Sequence, residues 1–476
     1  MKVDLYHLYR HFEYSNFVYP IILDVLKVWA EEAGIDVRVR VCREEEVDYT
    51  TDAAVIGISV YTQTAPASYR VSRRMRELGK MVVLGGPHFR NSSCAEALAH
   101  CDVVVDTICQ QQWTELLRRA ECGLMAPLHS PARVIRDRQN QFAYPANFYE
   151  TFKSQKWFQV PSIPTSIGCP YDCAFCSAYL QGKYKLREIE TIYNELKACP
   201  RKVVFLCDAT FGLNKQFTLS LMERVAPLGK KILIETSLAR LRDRELVRAL
   251  AKGGVHWVSI GIESLSVKLG KHGSRDLTDV LRAVIDDLHD AGILVQGNFI
   301  CGLDADGPEQ FETVADFYRT SELDLMIIDL LTPYPNTAQF DSLRLEGRIL
   351  SSNWEDYDYR HVVYRPRKLT PEELIDGFIQ LYRSITGASV VFPKAHQIWK
   401  RSGFTLESTM MLSYNLFSRF DALRKERALR KNKHELRLLC DLPRVAPQVA
   451  SGNNDNFTTV QGQHRGQSLS SFSGST

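Results

Sequence analysis

The sequence predicts an α/β chain of three units: a doubly wound N-terminal domain, a central partial (β/α)6 barrel and a small, mostly helical C-terminal domain. Three observations carry this expectation. At 476 residues the chain exceeds what one hydrophobic core serves, and about 150 residues per domain suggests three units. Short apolar runs alternate with helix-period segments as far as Pro335, the signature of parallel sheets with helical crossovers. Beyond that point the period is almost wholly helical.

The elements follow in order. Residues 2–8 form a short β-like run, and 18–33 carry Ile21, Ile22, Val25, Leu26 and Trp29 at helical spacing before Gly34. Strands are expected at 37–41 and 53–60, a helix at 71–78, and a strand at 81–86. A short helix at 95–99, a fifth strand at 102–108 and a helix at 113–120 complete the first domain, 1–126. Residues 127–160 show no period and contain Pro131 and Pro145, so they read as a connector. A second series, 161–345, has strands at 164–167, 203–207, 232–236, 256–262, 295–300 and 326–331, with a helix pattern in each gap. In the third unit, 346–443, Thr370-Pro371-Glu372-Glu373 is a helix start, with a capping hydroxyl, a first-turn proline and acidic residues against the dipole. Residues 419–437, rich in Arg and Lys with interleaved Glu, read as a solvated helix face. The Ser, Gly, Gln and Asn of 444–476 read as a disordered tail.

Composition narrows the function classes. Hydrophobic residues at 45% against 24% charged exclude a fibrous or wholly disordered chain. A net charge of +3 supplies no field that would draw nucleic acid. No apolar run reaches the ~18 residues of a membrane span, and Met1 to Tyr9 lacks a secretion signal, so a cytoplasmic location is expected. In that setting the 12 cysteines are reduced thiols or metal ligands.

Three of them form a motif. Cys169, Cys173 and Cys176 make C-x3-C-x2-C directly after a strand. Three thiolates on one loop suit three irons of a cubane cluster and leave the fourth iron open to substrate. A zinc site would need a fourth ligand, for which Cys199 or Cys207 would have to fold back. Cys207 and Cys301 otherwise read as small core residues, and the spare cysteines form no second triplet.

The run Cys169-Pro-Tyr-Asp-Cys173-Ala-Phe175-Cys176 resembles the cluster loop of the radical S-adenosylmethionine (radical SAM) enzymes. The resemblance implies a 4Fe–4S cluster whose open iron is chelated by S-adenosylmethionine, with one-electron cleavage to a 5′-deoxyadenosyl radical. It places Phe175 beside the cofactor. Asp208 stands where the family often has Gly-Gly-Glu near the methionine amino group. Glu235 and Ser237 end the third strand, and Gly261-Ile262-Glu263-Ser264 resembles a Gly-x-Glu-Ser element whose carboxylate accepts from ribose hydroxyls. Ile300 falls in the segment that lies along adenine, and Tyr334 at the sixth strand end.

A doubly wound domain ahead of such a barrel resembles the cobalamin-binding subfamily, with Ser59, Gly85, Gly86 and His88 in its cofactor loops. Gly347-Arg348-Ile349 with Trp354, Tyr357, Asp358 and His361 resembles the C-terminal segment of the hopanoid-methylase-like C-methyltransferases. Two departures stand out. No Asp-x-His-x-x-Gly element supplies a cobalt ligand, and the subfamily's glycine-rich turn is replaced by Asp106-Thr107-Ile108-Cys109-Gln110-Gln111-Gln112, which is expected to narrow the space for the corrin's nucleotide tail. The resemblance implies cobalamin-dependent methylation of an unactivated carbon in a small-molecule or lipid intermediate, with a flavodoxin- or ferredoxin-like electron donor. A cobalamin-independent cyclisation, rearrangement or desaturation with a vestigial N-terminal domain, and a non-catalytic metal-binding scaffold, are the other readings.

Overall fold

A computed structural model describes residues 1–10, 21–90, 94–123, 133–137, 142–145, 160–177, 184–265, 277–403 and 405–441. The expected disordered tail lies outside the described residues. The first unit runs β1 (Lys2–Leu8), α1 (Ile21–Glu31), β2 (Asp36–Cys42), β3 (Val55–Ser59), α2 (Ala65–Glu77), β4 (Met81–Gly85), α3 (Ala95–Leu98), β5 (Val103–Val105), α4 (Gln110–Glu121) and β6 (Arg133–Ile135). Its six strands pair in parallel in the order β2-β1-β3-β4-β5-β6.

Alternation along the strands sorts side chains to opposite faces. Val3, Leu5, Val55, Val83 and Val105 join one core with Leu23 and Trp29 of α1 and Trp113 of α4. Tyr6, Ile56, Ile58, Val82 and Leu84 join the other with Val71 and Met75 of α2. The sheet is therefore doubly wound, and its order reverses between β1 and β3. The sixth strand comes from the stretch that the sequence reading assigned to a connector; three residues are too few to show a period, and only pairing of Val103 to Arg133 and Val105 to Ile135 defines it.

The second unit contains β7 (Ser162–Ile163), β8 (Ser166–Ile167), β9 (Lys185–Leu186), α5 (Ile189–Ala198), β10 (Val203–Leu206), α6 (Lys215–Val225), β11 (Lys231–Ser237), α7 (Leu238–Leu241), α8 (Arg244–Lys252), β12 (Val255–Glu263), α9 (Leu277–Asp290), β13 (Leu294–Cys301), α10 (Glu309–Thr320) and β14 (Leu325–Leu330). Six of its strands form an open, all-parallel sheet, β14-β13-β12-β11-β10-β7. The strand expected at 164–167 is split. Pro164 has no N–H for the ladder, so the chain leaves the sheet there. It then pairs antiparallel as β8 with β9, bracketing the cysteine loop.

The remaining helices are α11 (Ala338–Leu345), α12 (Pro371–Thr386), α13 (Ala388–Ser402) and α14 (Leu406–Asp441). Thr370 caps α12 as expected: its Oγ1 accepts from Glu373 N at 3.1 Å, while Glu373 accepts from Thr370 N at 2.7 Å. Leu233, Trp257, Leu294 and Leu325 fill the amino end of the barrel and pack on Ile398 and Met411, so α13 and α14 plug that end. None of the described helices is long and apolar enough to cross a membrane.

One short segment ties the C-terminal unit to the N-terminal domain. Trp354 packs against both large cores, its ring meets His88 at 5.3 Å, and its Nε1 donates to Glu96 Oε2 at 2.9 Å. Glu355 beside it receives Arg70 and Arg10, each at 3.3 Å. Trp354→Ala should therefore cost about 2 kcal/mol by loss of apolar contact and a hydrogen bond. A thermal melt checks this, and an unchanged Tm contradicts the wedge role.

Candidate active site

Both parallel sheets turn their carboxyl ends toward one cavity of about 410 Å³. Ser59, Gly85 and Arg90 line it from the first unit; Ser162, Gly168 and Cys207 line it from the second. Between α1, α4 and the sheet it continues as an apolar slot lined by Leu5, Ile22, Leu26, Val83, Val105 and Trp113. The turn Asp106–Ile108, expected to narrow the space for the nucleotide tail, borders the cavity. Arg136 holds Asp106 at 2.5 Å, and Asp137 N donates to Thr107 Oγ1 at 2.8 Å, which draws this turn toward β6.

The cysteine loop begins at Gly168, whose φ of +74° turns the chain out of β8. Cys173 is exposed, and Cys169 and Cys176 are half-buried. Cys176 N donates to Cys173 O at 3.0 Å, and Ala174 O accepts from Gln339 N at the start of α11 at 2.8 Å, so the loop is tied down on its far side. Phe175 packs on the main core. Among the described residues no three His, Cys, Asp or Glu side chains converge on a single metal ion. A cubane asks something different, one iron for each thiolate.

Asp208, expected near the methionine amino group, is buried and bonds the strand that precedes the cysteine loop. Its Oδ1 accepts from Thr165 N at 2.6 Å and Ser166 N at 2.9 Å, and its Oδ2 accepts from the Thr165 hydroxyl. With both oxygens engaged, the carboxylate anchors the strand that leads into the cysteines. Burial pushes its pKa up and those hydrogen bonds pull it down. Arg187, at 2.5 Å from buried Glu195 and 2.6 Å from Pro164 O, braces the same turn and lies over the Tyr144 ring.

Glu235, Ser237 and Glu263 are brought together at the ends of β11 and β12, where Ser237 pairs with Gly261. The Glu263 carboxyl is pushed up to about 7, first by burial and then by Glu235; burial raises Glu235 as well. Glu263 has a φ of +63°, and a Cβ on Gly261 would lie 2.7 Å from its Oε1, so only glycine lets this carboxylate fold back over the strand. Cys173 is near enough that Glu263 adds to the rise of its thiol pKa, behind burial and Cys169. Ser237 Oγ is buried and has no hydrogen-bond partner among the described residues. Ile300 ends β13 half-buried beside Asp329, and Tyr334 meets Tyr359 edge-on at 5.6 Å.

Of the residues expected to contact cobalamin, His88 is absent from the cavity lining, whereas Gly86 belongs to it. His88 Nε2 contacts Tyr69 Oη at 3.3 Å and its Nδ1 contacts Thr62 Oγ1 at 3.2 Å, while its ring meets Trp354; both nitrogens are engaged away from the cavity. Gly86, at φ +121°, is required by backbone: a Cβ there would lie 2.6 Å from Val60 O. Ser59, Gly85 and Gly86 line the cavity, and among the described residues the buried hydroxyls of Ser59 and Ser162 have no hydrogen-bond partner. A cavity of this size with a mixed polar and apolar lining fits a large ligand with polar edges. Sequence reasoning missed Arg90, Tyr144 and Arg187, because nothing in their local pattern marks a cavity that forms only when the two units dock. Cys301 is in the core as expected, whereas Cys207 borders the cavity.

Residues 163–318 match the Radical SAM superfamily, so the chain carries a radical SAM domain and with it a 4Fe–4S cluster and S-adenosylmethionine as cofactors. The chain is 29% identical over 354 residues to bacteriochlorophyllide d C-12(1)-methyltransferase of Chlorobaculum tepidum, covering 71% of this chain and 76% of that protein. It is 24% identical over 332 residues to hopanoid C-2 methylase of Rhodopseudomonas palustris, covering 66% and 62%. Among solved structures it is similar in fold to the radical S-adenosylmethionine methyltransferase TsrM of Kitasatospora setae, determined with cobalamin and a [4Fe–4S] cluster bound, with TM-score 0.61, 15% identity and coverage of 92% and 99%.

Asp208→Asn removes one acceptor from the Thr165–Ser166 anchor. It should lower both Tm and the iron retained after reconstitution; iron retention equal to the parent contradicts the anchoring role. For Glu263, a raised folded pKa means that the stability tied to the neutral acid is present at low pH and lost as pH rises through about 7. The Tm of the cluster-free protein should therefore fall between about pH 4.5 and 7 and level off above that, and Glu263→Gln should flatten that fall.

Proposed function

We propose that this radical SAM enzyme is a cobalamin-dependent C-methyltransferase acting on an unactivated carbon of a small-molecule or lipid intermediate. The observation that carries the reading is the cavity joining the carboxyl ends of both sheets beside the cysteine loop. Relatives bearing methyltransferase names support it, as does the likeness in fold to a cobalamin-containing methyltransferase. When bound, the cluster with S-adenosylmethionine supplies a hydrogen-abstracting radical, and the corrinoid supplies the methyl group.

In this reading Cys169, Cys173 and Cys176 hold three irons, and Phe175 packs beside them. Glu235, Ser237 and Glu263 bind the ribose hydroxyls, which would relieve the crowding of two carboxyls, and Ile300 and Tyr334 border the adenine side. Asp208, Thr165 and Arg187 hold the loop in place. Ser59, Gly85 and Ser162 border the corrinoid, while Phe142 and Tyr144 shield the cavity from water. Electrons would come from a flavodoxin- or ferredoxin-like donor. The domains are then 1–126 extended by β6, 161–345 and 346–443. A vestigial first domain accords poorly with an open cavity at the carboxyl ends of its strands and with relatives bearing methyltransferase names, so the cobalamin-independent reading is less favoured.

Protein purified anaerobically with iron, sulfide and hydroxocobalamin should show a corrinoid spectrum and form both S-adenosylhomocysteine and 5′-deoxyadenosine. Deoxyadenosine alone, with no bound corrinoid, would overturn the methyltransferase assignment. Alanine at Cys169, Cys173 or Cys176 should abolish cleavage of S-adenosylmethionine, and substantial turnover in any one contradicts its place as a ligand.

A further inference from the structure

The long helix α14 sorts its described residues into two stripes. Asn415, Leu429, Asn432 and Leu436, at helical spacing, are buried; on the same side Lys425 binds Asp329 at 3.1 Å and Asn432 Oδ1 accepts from Val362 N at 3.0 Å. The opposite stripe is open to solvent and changes character along its length. Leu416 and Leu423, about two turns apart, are 46% and 59% exposed. Arg424, Arg427, Arg430 and Lys431 follow within about two further turns, all exposed. The adjoining helix α13 repeats the apolar part: Phe392 and Trp399 are 59% and 44% exposed, with exposed His396 between them and exposed Lys400 after them.

Charge on the outer stripe is one-sided. Glu426 is shared by Arg383 of α12 at 2.6 Å and Arg430 at 2.9 Å, and Glu435 takes Lys431 at 3.5 Å. Arg424 and Arg427 add two cations that no carboxylate among the described residues meets. One exposed leucine is ordinary on a protein surface. Four large apolar side chains on two adjoining helices, beside an excess of arginine, have the composition of a face that lies in a membrane interface: the apolar groups enter the acyl boundary and the guanidinium groups meet lipid phosphates. A protein partner would ask for a packed apolar centre, whereas these side chains are spread singly along the helices.

We propose that the outer face of α13 and α14 binds an acidic phospholipid surface and holds the enzyme peripherally on a membrane. Ile398 and Met411 of the same two helices plug the amino end of the barrel, so contact here leaves the cavity at the carboxyl ends of the strands uncovered. Neither the cluster nor a corrinoid is needed for this attachment.

The test is co-flotation of the full-length protein with vesicles of phosphatidylcholine alone and of phosphatidylcholine mixed with phosphatidylglycerol. The parent should bind the acidic vesicles at least about tenfold more tightly, since each basic residue near such a surface adds about fivefold to affinity. High salt should abolish that preference by screening. Arg424→Ser combined with Arg427→Ser should weaken binding to acidic vesicles at least about tenfold, and lysine at both positions should restore most of it. Leu416→Ser combined with Leu423→Ser should weaken binding about tenfold as well. Arg74→Ser, at an exposed arginine of α2, should bind as the parent does. All of these side chains are exposed, so the variants should keep the parent's Tm. Failure to bind acidic vesicles, equal binding to both kinds, or parental binding by the paired serine variant of Arg424 and Arg427 would overturn the proposal. A parent that binds no vesicle but forms a dimer, dissociated by the paired leucine substitutions, would assign the face to a second copy of the chain and overturn it too.

Discussion

The cysteine loop depends on the carboxylate of Asp208. Pro164 ends the pairing of β7, and the next two residues carry N–H groups that have left the ladder inside a buried turn. Buried backbone donors must be met, and Asp208 meets both while also taking the Thr165 hydroxyl. The direction of β8, the start of the cysteine loop and the upper wall of the cavity follow from that contact. Arg187 and Glu195 stiffen it from the outer side. A residue one strand away from the cysteines thereby sets where they begin.

Among the described residues, Ser59 and Ser162 line the cavity between the two sheets and each has a buried hydroxyl without a partner. Among the described residues Ser237 likewise has a hydroxyl without a partner, and Glu235 and Glu263, meeting at the ends of β11 and β12, both have raised carboxyl pKa values. Each is destabilising in an empty site. The cores beneath are apolar and closely packed, which holds these groups apart from one another until a ligand arrives.

The cavity exists because the units dock. Trp354 and Glu355 belong to the C-terminal unit, yet they grip α3, α2 and Arg10 of the first domain, and Asn336 Nδ2 reaches His88 O at 3.4 Å. His88 is consumed by this joint. Its position after two glycines suggested a cofactor contact, but its ring is enclosed by Tyr69, Phe89 and Trp354. Burial without a nearby charge lowers its pKa to about 4, so it remains neutral in the joint.

The sequence by itself determined most of the strands and helices, the two parallel sheets and the position of the cysteine loop, because each is written in local signals: period two or 3.6, caps, and the spacing Cys169, Cys173, Cys176. It also placed Glu235, Ser237 and Glu263 at successive strand ends, since parallel strands carry such residues to one edge. Only the tertiary structure decided that β6 joins the first sheet, that Asp208 holds backbone, that His88 serves a joint, and that Arg90 faces a ligand cavity. These depend on partners dozens to hundreds of residues away, and a side chain's direction is set by what packs against it. Periodicity shows which face of an element is buried; it carries no information about which distant group occupies that face.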